Sequence, residues 1–71
     1  MNIELDSTYK IRQTGGGFTF GTVTSQNADG TFTWESDHPR AALRAHWARP
    51  DQFVVRVADG TYLGDDGKAR R

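Results

Sequence analysis

The sequence predicts an α+β domain, mainly β: a curled antiparallel sheet of about four strands (β-β-β-α-β) with one short helix. Three observations predict it. Thr31-Phe32-Thr33-Trp34 alternates polar and apolar, which puts Phe32 and Trp34 on one face of a strand. Residues 39–49 break that period, with Pro39, Leu43 and Trp47 spaced four apart on one helical stripe. Phe53, Val55 and Val57 then return to period two.

The first strand is read over residues 3–11, where Ile3, Leu5, Tyr9 and Ile11 share a parity and a bend falls at Asp6-Ser7. Lys10 and Arg12 take the other, solvated face. Gly15-Gly16-Gly17 is a hairpin loop. A phosphate cradle would need a helix directly after the glycines, and Phe18-Thr19-Phe20 opens a strand instead. Val23 falls out of phase with Phe18 and Phe20, so a bulge is expected at Gly21. Asn27-Ala28-Asp29-Gly30 closes the next hairpin.

After the third strand, Ser36 or Asp37 can cap a helix and Pro39 fits its first turn. Ala41, Ala42, Leu43, Arg44 and Ala45 favour helix, and Pro50 ends it. The competing reading is a strand with Leu43, Ala45 and Trp47 inward. Thr61-Tyr62-Leu63 can add a short strand. The domain is expected over residues 1–63. Residues 64–71, with nothing apolar larger than alanine, are expected to be a disordered tail. The core is expected to be one cluster of Phe20, Phe32, Trp34, Leu43, Phe53 and Val55.

Composition narrows the function. A chain of 71 residues is one small domain, and without cysteine it has neither disulfides nor thiolate ligands. Nine basic and nine acidic side chains cancel, whereas a dedicated nucleic-acid binder of this size is usually basic. No apolar run is long enough for a membrane span, and the acidic, alternating start is unlike a signal peptide, so a cytoplasmic location is expected.

No motif points to chemistry. His38 and His46, eight apart with Asp37 near the first, are a poor metal set, and no metal or cofactor is expected. Glu35 and Asp37 belong to a strand end facing solvent rather than a concave site. No glycine-flanked nucleophile turn accompanies the serines and threonines. The chain is therefore read as not an enzyme.

Glu35-Ser36-Asp37-His38-Pro39 resembles the Glu-Ser-x-x-His-Pro stretch of the plasmid-borne type II dihydrofolate reductases, which are SH3-like small barrels. That family's Val-Gln-Ile-Tyr binding segment is replaced here by residues 40–47, and the histidine comes one place early. The resemblance therefore implies an alternative fold, an all-β SH3-like small barrel, and not the reductase activity. In size, lack of cysteine and stand-alone compactness the chain is similar to the small phage-encoded transcription regulators, of which bacteriophage Xp10 carries one. That similarity implies binding to bacterial RNA polymerase in the host cytoplasm, with inhibition of promoter use and antitermination.

Between residues 40 and 56 four arginines surround Trp47 and His46 with one acid, Asp51. Arginine with aromatics is a composition of protein-interface hot spots and equally of single-stranded nucleic-acid grooves. Zero net charge favours a non-enzymatic protein-binding module, acting as a monomer, over a nucleic-acid-binding small β-barrel. The expected partner-binding residues are Lys10, Arg12, Arg40, Arg44 and Arg56, with Tyr9 or Trp47 as the aromatic anchor if exposed.

Overall fold

A computed structural model describes residues 2–41 and 44–71. Within them lie β1 (Thr8–Arg12), β2 (Phe18–Gln26), β3 (Phe32–Glu35), β4 (His46–Ala48), a 3₁₀ turn at Pro50–Gln52 and β5 (Phe53–Arg56). Two short strands follow, β6 (Tyr62–Leu63) and β7 (Ala69–Arg70). The main sheet is antiparallel and five-stranded in the order β4-β3-β2-β1-β5, and β6 pairs with β7 in a separate two-stranded sheet. The five-stranded sheet is not closed: β4 and β5 are its edges.

The turns follow the residues that make them. Gln13 N–H donates to the carbonyl of Gly17 (3.0 Å), and the β1–β2 turn passes through Gly16 and Gly17, both at positive φ. At the next hairpin Asn27 N–H donates to Thr31 (2.8 Å) and Gly30 takes φ +89°. The bend expected near Asp6 is present, with Asp6 itself at φ +63°. It shortens the first strand, which starts at Thr8 and leaves Leu5 exposed.

One face of the sheet carries the core: Tyr9, Ile11, Val23, Phe32, Trp34, Ala48 and Phe53, with Ile3 packed against it. Phe53 stands edge-on to both Tyr9 (5.6 Å between ring centroids) and Phe32 (5.7 Å). Phe20 is buried but lies on the opposite face, where it pairs with Lys10. The parity break between Phe20 and Val23 is therefore no bulge, because β2 is covered on both faces there. Gly21 pairs regularly with Tyr9, and its missing side chain makes room for the Trp34 indole. The bulge of β2 falls at Thr24, between the pairs Val23–Trp34 and Ser25–Thr33.

A second bulge explains Val55. Lys10 pairs with Val55 and Ile11 with Phe53, which leaves Val54 as the extra residue. Val55 is thereby turned to the Lys10 face and is half exposed instead of joining the core.

The helix expected over residues 39–49 is not seen: among the described residues there is no α-helix, and Leu43 lies outside them. The edge of β3 offers unpaired backbone, and His46–Ala48 takes it, pairing Trp34 with His46 and Phe32 with Ala48. A ladder on a sheet already formed outweighs the modest helix propensity of a short alanine-rich run. The competing inward strand is also corrected. Ala48 is the buried residue of β4, whereas Ala45 and Trp47 are exposed.

Residues 64–71 do not form the disordered tail expected of them. They make the turn and return arm of the β6–β7 hairpin. Polar groups close it: Gly64 N–H donates to Lys68 (2.8 Å), Gly67 takes φ +80°, and Arg70 bonds Asp66 (2.6 Å). The hairpin also meets the β3–β4 loop. Asp65 accepts from Arg40 and lies 3.3 Å from His38 Nε2, and the His38 ring stands edge-on to Tyr62.

Candidate functional site

The end of β1 and strand β4 are held together by a buried amide. Pro50 and Asp51 tighten the chain into the 3₁₀ turn and bring Gln52 inward. Gln52 donates to the carbonyl of Arg12 (2.9 Å) and accepts from the N–H of Arg49 (2.9 Å). Both ends of the side chain are thus used to fix the spacing between two strands distant in sequence.

Above this clamp lies a cleft of about 310 Å³. Ile11, Arg12, Gln13 and Thr14 line one wall, His46, Trp47 and Ala48 the other, and Trp34 and Gln52 complete the lining. His46 stacks on Trp34 with centroids 4.5 Å apart and planes 21° apart. Trp47 is 68% exposed, the most exposed of the large apolar residues described. The Trp34 Nε1–H is buried and has no acceptor among the described residues.

No carboxylate lines the cleft. Arg12 reaches Asp51 only loosely, at 3.9 Å from its carboxylate and 3.5 Å from its carbonyl, while Asp51 also binds Arg49 at 3.1 Å. These groups are well exposed, so the pairs hold the arginines weakly. The lining side chains supply hydrogen-bond donors, an aromatic surface and one fixed positive charge. That set suits a ligand rich in acceptors or negative charge.

Of the residues expected to bind a partner, Arg12 and Trp47 are brought together at the cleft. Tyr9 is corrected: at 1% exposure its ring is core, and its hydroxyl accepts from Glu4 N–H (2.9 Å), which leaves Trp47 as the exposed aromatic of the two. Lys10 lies on the opposite face with its Nζ 4.2 Å from the Phe18 ring centroid. Arg40 is bound to Asp65 and Arg56 to Glu4 (3.1 Å). Arg44 is exposed just before β4. Gln13, Thr14, Gln52 and the Trp34 edge were not singled out by sequence, and His46 was noted there only as a poor metal ligand and as a neighbour of the arginines. The Pro-Asp-Gln run reads in the sequence as a turn into the next strand, and the structure adds that this turn buries Gln52.

Among the described residues no three His, Cys, Asp or Glu side chains are grouped to hold a metal. No described helix is long and apolar enough to cross a membrane. No family model, curated protein or solved structure matches the chain.

Proposed function

We propose that the chain is a non-enzymatic protein-binding module that seats an acidic, extended segment of a partner in the cleft between β1 and β4. The observation that carries this reading is Trp47, 68% exposed on a wall of that cleft. Covering an indole recovers roughly 25 cal/mol per Å² of apolar surface, and aromatic anchors beside arginine dominate interface energetics. Arg12 in the cleft, with Arg44 and Arg49 on either side of β4, meets the partner's carboxylates.

The strand order, with a 3₁₀ turn leading into β5, supports the finer reading of an SH3-like small barrel left open beside the cleft. A cytoplasmic regulator that binds bacterial RNA polymerase, in the manner of the phage proteins, is the biological setting we favour. Binding one state of the polymerase better than another would inhibit promoter use or promote antitermination. A single-stranded nucleic-acid groove is the second reading, favoured by the indole beside Arg12 and opposed by zero net charge.

The test is capture from nuclease-treated bacterial lysate by the wild type and by Trp47→Ala. Capture of a defined protein that Trp47→Ala loses supports the module. Capture that is indifferent to Trp47 removes the cleft from the function.

A further inference from the structure

The indole N–H of Trp34 is a buried donor that the fold leaves without an acceptor among the described residues. Trp34 is 7% exposed and forms part of the cleft lining. Leaving such a donor unpaired costs folding stability, and a phenylalanine would fill much of the same apolar volume without the cost. We infer that Trp34 Nε1–H is the specificity-determining donor of the cleft, reserved for a carbonyl or carboxylate oxygen of the bound acidic segment. This rests on the protein-binding reading and adds to it which atom selects the occupant.

The surroundings fit that role. Both ends of the Gln52 side chain are bonded to backbone, and Gln52 does not accept from the Trp34 donor. His46 stacks on the indole face and so does not occupy the in-plane direction of the N–H. Nε1 is covered from solvent in the free protein, so the acceptor arrives as the cleft opens. Trp47 is the rim side chain free to swing, since no ring pair or side-chain hydrogen bond among the described residues holds it. An extended peptide offers a carbonyl at every residue, and its carboxylates reach Arg12 beside the same cleft.

The chain has two tryptophans, so ¹H–¹⁵N spectra give two indole signals that report the floor and the rim separately. The probe is a short blocked peptide of alternating glutamate and valine, with an oligothymidylate of equal length as the second arm. At saturation with peptide, the Trp34 indole signal should move downfield and its hydrogen exchange should slow. Trp34→Phe should bind the peptide about tenfold more weakly, the loss of about one hydrogen bond, while the Trp47 signal still responds. Peptide binding seen at Trp47 with the Trp34 signal unmoved overturns this inference and leaves the binding module standing. No peptide binding at either signal overturns both. Movement of both signals with oligothymidylate alone gives the site to nucleic acid and overturns the proposed occupant. Because the shift is read on the wild-type chain, a Trp34→Phe variant that fails to fold does not remove the test.

Discussion

At Gly21 the missing side chain leaves the space that the six-membered ring of Trp34 fills, and any Cβ there collides with ring carbons. The ring cannot retreat cheaply, because it is stacked on His46 and embedded in the core. Gly21→Ala should therefore destabilise the protein by about 1–3 kcal/mol, the usual cost of overpacking. Urea unfolding measures it, and an unchanged midpoint would mean that Trp34 does not lie over Gly21. Trp34→Ala should cost about 3–5 kcal/mol, which a domain this small scarcely tolerates. A Trp34→Ala variant with wild-type melting behaviour would place the indole outside the core. The sequence announced that position 21 was special but not why. A glycine between out-of-phase apolar residues reads as a bulge, whereas the reason lies on a different strand. Trp47 was equally undecided from sequence, since its exposure follows from the register of β4 against β3.

Among the elements, the hairpin turns were legible because glycines and Asn-Ala-Asp-Gly fix their own backbone, independent of neighbours. Strand β4 was not, because its driving force is the free edge of β3 rather than anything in residues 46–48. The Val54 bulge was not legible either, since one inserted residue leaves no composition signal, and it moved Val55 out of the core. The β6–β7 hairpin is held by charge and turn chemistry, and that makes it sensitive to acid. The hydrogen bond from Arg70, helped by Lys68 N–H, holds the Asp66 carboxyl below the ordinary aspartate range. A carboxyl depressed in the folded state stabilises fully above its unfolded pKa, and that contribution is lost as pH falls through the folded value. Asp29, in the β2–β3 turn, is depressed in the same way by the Thr31 hydroxyl and N–H, so acid also loosens that turn, whereas the buried polar residues Ser7, Thr8, Gln52 and Thr61 do not ionise. Lowering pH from neutral to about 2 should release the Asp66–Arg70 contact while the core amides stay protected. Hydrogen exchange resolved by residue checks this, and simultaneous loss of both would show the hairpin and sheet to be one cooperative unit.

For the whole molecule, charge decides between partner classes. Nine bases against nine acids leave no net field to draw in a polyanion, and Arg40 and Arg56 are each already paired with an acid of this chain. Affinity for nucleic acid requires several phosphates neutralised together and falls steeply with salt. A protein segment asks less, because one indole anchor and one or two charges can supply the central contacts. The sequence showed this balance of charge and the gathering of arginines, but not that β1 and β4 would face each other across a cleft, which depends on Gln52 and the 3₁₀ turn. Arg12→Glu combined with Arg44→Glu reverses the charge beside the cleft and touches no core residue. The double variant should keep the wild-type melting temperature to within a few degrees and lose most partner capture from nuclease-treated lysate, since like charges facing an acidic segment repel. In parallel, wild-type binding to random single-stranded DNA should stay in the weak non-specific range at physiological salt. Tight, steeply salt-dependent binding to that DNA, with no protein captured, would overturn the acidic-segment reading and make the indole beside Arg12 a base-stacking platform.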